Sequence, residues 1–219
     1  MGVITEIFNT ISRVVVLPSF YYMIFQSAAP ILLAALAVAV AIKANAINMG
    51  IEGIMTVTAL VCVLVSSAVG GQPAGGPWLG LVVAIIVGGL LGFAVSVFAF
   101  RLKIDIILVG IAMNLIGTGA SVLLMYVLTG DRTTTTSLSS GTLPQVAIQL
   151  LKDIPFLGEV LSGHYVLTYL AYILVFVMSF FLFKTKLGLR IRAVGENEEA
   201  AESVGISSLK IKTIALIIS

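Results

Sequence analysis

Long runs without a single charged residue divide the chain. Phe20 to Ile42, Pro77 to Phe100, Ile106 to Gly130 and Gly163 to Phe183 contain no Asp, Glu, Lys or Arg. Each exceeds the roughly 20 residues that an α-helix needs to cross a bilayer at about 1.5 Å per residue. A fifth run, Ile54 to Val69, is short on its own and becomes long enough if its helix begins upstream near Asn48, which puts Glu52 within or at the edge of the membrane. The runs are apolar on every side, whereas strands of a membrane barrel alternate apolar and polar residues over about ten positions. Only helices and closed barrels satisfy their backbone hydrogen bonds in lipid. The pattern therefore predicts an all-α fold, a polytopic transmembrane helical bundle of about five spans plus the start of a sixth.

The segments between the runs set the expected organisation. Residues 1–19 form an N-terminal segment in which Ile4, Ile7, Phe8, Ile11 and Val15 keep a helical period up to Pro18. It reads as an interfacial helix, with a clipped signal peptide as the alternative. The transmembrane domain covers 20–183 and includes an outer loop at 131–162. That loop carries Thr133 to Thr136 and then a mixed stretch, Leu143 to Leu161, interrupted by Pro155 and Gly158. A cytoplasmic loop occupies 184–212. Residues 213–219 begin a further, incomplete transmembrane helix: either the chain is truncated there or its last element is too short to cross.

Orientation follows from Lys and Arg, which collect in cytoplasmic loops. The loop from Lys184 to Lys212 holds ten of the 22 charged residues, so it is placed inside. Alternating the spans backward from it puts nine of the twelve basic residues inside, against Arg13, Arg132 and Lys152 outside. Composition then adds one constraint. Hydrophobic residues make up 59% of the chain and charged residues 10%, with a mean hydropathy of +1.16. A soluble domain carries roughly 25% charge, so lipid must cover much of this surface. A net charge of +2 gives no basic face for nucleic acid. Cys62 is the one cysteine and lies in an apolar run, which excludes an internal disulfide and reads as packing.

Few residues offer chemistry. Asn197 can cap a short helix from Glu198 to Val204, with Glu198 and Glu199 in its first turn, and Gly205 suits the left-handed position after its end. Ala200 and Ala201 leave that helix thin-flanked, open to close approach by another protein; a plain surface loop is the other reading. Asn48 and Glu52, beside Gly50 and Gly53, are either part of a solute path or a structural anchor, since an ionisable group at membrane depth costs about 2.5 to 3.5 kcal/mol on insertion scales. Asn114, one turn before Thr118, must face protein or a cavity; interhelical hydrogen bonding and solute contact both satisfy it. Gly88 and Gly92 form a small-xxx-small pair for helix packing. No Gly-x-x-x-x-Gly-Lys-Ser/Thr loop occurs, so ATP phosphates are not cradled here in the usual way. His164, the one histidine, has no nucleophile motif beside it.

Glu199-Ala200-Ala201 followed by Gly205 resembles the EAA-x-x-x-G motif of ABC importer permeases, although the Ile-x-Leu-Pro ending of the general motif is not in place. The preceding Gly188-Leu-Arg-Ile-Arg-Ala-Val-Gly195-Glu196-Asn197 is similar to the simple-sugar and nucleoside branch, related to the ribose and branched-chain amino acid permeases. Ala46 to Gly53 resembles that branch's Asn-x-Gly-x-Glu-Gly signature, and Gly110 to Leu115 and Asp153 to Gly158 occur in the same order and spacing. The resemblance implies a transport subunit in the prokaryotic plasma membrane, without catalytic residues, metal or cofactor of its own. ATP and Mg would be bound by a separate cytoplasmic ABC ATPase. It also implies a second permease subunit, usually a distinct sibling, and an extracytoplasmic solute-binding lipoprotein. Nucleosides come first as solute, with simple sugars or a flavin as alternatives. A secondary transporter or channel that uses no ATPase is the rival from another class.

Overall fold

The computed structural model describes Glu6 and residues 14–70, 75–131, 134–135, 138–147 and 157–219. Most of the N-terminal segment, Arg13, Arg132, Lys152 and the Asp153 to Phe156 stretch lie outside the described residues. Five helices are long and apolar enough to cross a membrane: α1 (Pro18–Lys43), α2 (Ile51–Ala68), α3 (Gly76–Ser96), α4 (Ile106–Thr129) and α6 (Val166–Lys184). The span of α3 continues into a π-helical segment, Val97–Arg101. Between α4 and α6 lie β1 (Gln145–Val146), the short α5 (Leu157–Leu161) and β2 (His164–Tyr165). Three shorter helices follow: α7 (Lys186–Glu196), α8 (Glu198–Ser203) and α9 (Ser208–Ile218). The fifth run thus starts at Ile51, and Glu52 falls in the first turn of α2. The sixth helix starts at Ser208, five residues earlier than its apolar run.

The chain divides into two compact units, Met1–Leu33 with Leu143–Val175 and Ala34–Thr142 with Phe176–Ser219. In the first, β1 and β2 pair antiparallel, Val146 opposite His164. The His164 side chain is fully buried. Tyr22 stacks on it at 4.1 Å between ring centroids, and Phe25 lies at 4.9 Å. Its Nε2 donates to the Val160 carbonyl at 2.8 Å, which fixes the proton on that nitrogen. Tyr22 donates to the Gly163 carbonyl and Tyr172 to that of Phe25. Aromatic residues with a polar tip thus occupy this apolar site while keeping their hydroxyls paired.

The second unit is built by backbone-to-backbone approach, because lipid tails are as apolar as the side chains and supply no hydrophobic drive between helices. Gly80 of α3 sits so close to α2 that a Cβ there would lie 2.5 Å from the Cys62 carbonyl oxygen. A Cβ on Gly53 of α2 would lie 2.5 Å from the Met113 carbonyl oxygen of α4, and one on Gly117 would lie 2.7 Å from that of Gly53. Gly92 lies against the Leu216 carbonyl of α9, while Gly88 faces Thr58 of α2. The small pair therefore serves two neighbours. The core gathers Val40, Ala41, Val95, Leu182, Ile191, Val194, Ala215 and Leu216.

Gly92→Val should separate α3 from α9 and lower stability by about 1–3 kcal/mol, the usual cost of overpacking. Gly119→Ala, where nothing lies within 4 Å, should be neutral or stabilising. Thermal melts of the two variants in detergent check the opposite signs.

Candidate functional site

Two groups of residues stand out, and the first is the break between α1 and α2. Helix α1 ends with Asn45 in the left-handed region, φ 51°, which asparagine tolerates better than most residues. The Asn45 N–H donates to the Ile42 carbonyl and the Ala46 N–H to that of Ala41, both at 2.9 Å, closing the helix in a Schellman pattern. The chain then runs through Asn48, buried at 4% exposure, whose Oδ1 accepts from the Gly50 N–H at 3.0 Å. Its Nδ2 reaches Ser219 Oγ at 3.4 Å. Helix α2 starts with no side-chain cap on Gly50.

Asn114, from the middle of α4, supplies what that start lacks. Its Oδ1 accepts from the Gly53 N–H and its Nδ2 donates to the Met49 carbonyl, both at 2.7 Å. One amide thus satisfies an acceptor within the break and a donor in the first turn after it. The contact requires glycine: a Cβ on Gly110 would lie 2.7 Å from Met49 Cβ. Asn48, Gly50 and Asn114 are brought together, whereas Glu52 and Thr118 are exposed side chains on α2 and α4. Glu52 places its charge in the first turn, where the helix dipole favours it.

The second group is the knob formed by α8. Thr185 caps α7 by accepting from the Gly188 N–H at 3.1 Å. A methyl on Gly188 would overlap Phe181 and Leu182, and one on Gly195 would overlap the Lys43 carbonyl, so α7 folds tightly against the ends of α6 and α1. Asn197 separates α7 from α8 in an extended conformation, and its Oδ1 accepts from the Ala200 N–H at 3.0 Å. Gly205 ends the helix at φ 83°. The expected cap and terminator are both in place, around a helix that closes one residue earlier than expected. Ala201 turns into the core at 4% exposure, so Ala200 is the thin outer residue, flanked by exposed Glu196 and Glu199.

Other residues at the knob were not evident from sequence. Lys212 of α9, largely buried, places its Nζ 2.5 Å from Glu198 Oε2, and Ser208 Oγ donates to the Glu202 carboxylate. A separation of 14 residues is far beyond the three or four at which side chains meet on one helix, so no local pattern marks the pair. The hydrogen bond from the Lys212 ammonium holds the Glu198 carboxyl below its ordinary value of 4.5 against the opposing effect of burial.

The segment that builds both groups also carries the family signal, since residues 20–219 match the family described as "Branched-chain amino acid transport system / permease component". The chain belongs to that permease family. Its members are transport subunits, not enzymes, and the permease is a multi-pass protein of the prokaryotic plasma membrane. It is 34% identical over 198 residues to the guanosine ABC transporter permease protein NupQ of Bacillus subtilis, covering 88% of the chain and 60% of the relative. It is 33% identical over 193 residues to the putative glucose ABC transporter permease protein TsgC13 of Haloferax volcanii, covering 88% and 56%. Identity to the nucleoside ABC transporter permease protein NupC of Lactococcus lactis is 29% over 181 residues, covering 81% and 56%. The chain therefore spans between a half and two thirds of the length of these relatives. No solved structure matches it significantly.

Asn114→Leu should leave the Gly53 N–H and the Met49 carbonyl without their partner, at about 1–3 kcal/mol in all, and Asn114→Asp should cost at least as much, because its carboxylate keeps the bond to Gly53 but has no donor for Met49 and carries a charge into the span. Unfolding of the purified permease in mixed micelles measures both. Because the folded pKa of Glu198 is depressed, its stabilisation is present above the ordinary glutamate range and is lost as pH falls through the lowered value. Melting of the wild type should therefore weaken on acidification below pH 4.5 more than that of Glu198→Gln.

Proposed function

We propose that the chain is the membrane-spanning part of a permease subunit in an ATP-driven importer, with a nucleoside as solute. One observation carries the coupling half of this reading: an Asn197-capped helix of six residues, Glu198–Ser203, exposes Glu199 and Ala200 outward while Ala201 is anchored in the core. A small, rigidly mounted acidic knob can enter a groove of a separate ATPase and pass its movement to the spans. Gly195, Glu196, Asn197, Glu199, Ala200, Ala201 and Gly205 form the coupling set. The nucleoside half rests on the similarity to the guanosine and nucleoside permeases.

In this reading the solute path runs along the α2–α4 contact. Asn48, Gly50 and Asn114 fix the backbone at the break, and exposed Glu52 and Thr118 offer the hydrogen-bonding groups that ribose hydroxyls and base edges need. ATP and Mg stay with the cytoplasmic ATPase. A sibling permease completes the pathway, and an external lipoprotein delivers solute. The relative described as a putative glucose permease favours simple sugars as a second reading, on the same architecture.

Ala200→Arg alters only the exposed face of the knob. In cells expressing the whole transporter it should cut labelled guanosine uptake and ATPase co-purification by at least about tenfold, equivalent to about 1.4 kcal/mol of association, at normal membrane abundance. Uptake that survives loss of the ATPase would identify a secondary transporter instead.

A further inference from the structure

A buried lysine at the foot of the knob has no role in the reading above. Lys212 is 9% exposed, and lysine is almost never this buried unless paired. Its ammonium meets Glu198 at the first position of α8 on one side, at 2.5 Å, and lies 5.8 Å from the centre of the Phe100 ring on the other. Phe100 belongs to the π-helical segment that ends the α3 span. One charge therefore touches both the knob and the span.

Further contacts fix α9 along the same line. Ser208, one turn before Lys212, donates to Glu202 at the far end of α8. Thr213, the residue after Lys212, is hydrogen-bonded to Ser96 of α3 at 2.6 Å. Gly92 brings the backbone of α3 against the Leu216 carbonyl. The knob is thus pinned to α9 at both its ends, and α9 is pinned to α3 at successive levels. Glu198 is 44% exposed on its side of the pair, and a partly exposed ion pair adds little stability, so stability alone does not call for a lysine here. A directional charge with a flexible stem does something an apolar contact cannot: it transmits pull as well as push.

We propose that Lys212 is a positioning residue that joins the α8 knob to the π-helical end of α3, so that α8, α9 and that end of the span move as one body during the ATPase cycle. The inference rests on the importer reading and adds the route by which movement of the knob enters the membrane.

The test uses the whole transporter in nanodiscs, with solute-stimulated ATP hydrolysis and solute moved per ATP as readouts. Lys212→Met changes nothing on the outer face of the knob and leaves Glu198, 44% exposed, to solvent. It should keep the wild-type melting temperature, ATPase retention and basal hydrolysis, and lose about fivefold or more of the solute moved per ATP. Lys212→Arg should keep most of the wild-type coupling. Unchanged coupling in Lys212→Met overturns the proposal, leaving the pair as a structural tie. Spin labels at the exposed positions Ser203 and Leu102 give a second reading in otherwise wild-type protein. One sharp distance across all nucleotide states is expected, and a distance that changes with nucleotide also overturns it. A wild-type chain that never retains an ATPase sinks the importer reading itself, and this inference with it.

Discussion

Where two spans are joined by a tight turn at a membrane edge, the backbone groups that the helix ends leave unpaired must be met by the protein itself wherever close packing shuts water out. That constraint organises the turn between α1 and α2. Between Lys43 and Ile51 the backbone leaves helical geometry, and the exposed ends are met from elsewhere: by the left-handed turn at Asn45, by Asn48 on Gly50, and by Asn114 on both Met49 and Gly53. The amide of Asn114 can do this only because Gly53, Gly110 and Gly117 let the α2 and α4 backbones nearly touch. The polar repair and the small-residue contact depend on each other. Enlarging a glycine moves the amide away, and removing the amide leaves the close-packed break unsatisfied.

The same logic of backbone approach reaches beyond the spans. Gly188 and Gly195 seat α7 against the ends of α6 and α1, and Ile191 and Val194 of α7 enter the same core as Ala41 and Ala44. The loop after α6 is therefore not an appendage. Its acidic outer face belongs to a helix whose inner face, through Ala201, is part of the packing that also holds Ala215 and Leu216 of α9.

Much of this was legible from residue pattern. The five spans follow from uncharged length, and the knob from Asn197, its two following glutamates and Gly205, because capping is a local affair of a few neighbouring residues. The start of α2 was ambiguous because Asn48 to Gly53 mixes polar and glycine residues at a membrane edge, where length and hydropathy give no boundary. Ala200 and Ala201 looked equivalent in sequence, and only the rotation of a six-residue helix separates the buried one from the exposed one. The Lys212–Glu198 and Ser96–Thr213 contacts were invisible, since they join residues 14 and 117 apart and arise only once α9 lies along α3. The resemblance to nucleoside permeases came from short motifs, and it agrees with the family to which residues 20–219 belong.

The π-helical turn at Val97–Arg101 has a geometric consequence for that last contact. On a regular α-helix, steps of four residues drift around the axis by about 40° each, because a turn takes 3.6 residues. Gly92, Ser96 and Phe100 would then spiral away from a straight neighbour. The wider turn, in which the Leu102 N–H donates to Val97 five residues back, winds that drift back. A row of contacts on α3 therefore stays in step with α9 from Leu216 to Lys212. A single surplus residue acts here as a phase correction, and losing one residue from the turn would swing Phe100 off the lysine while leaving a span still long and apolar enough to cross.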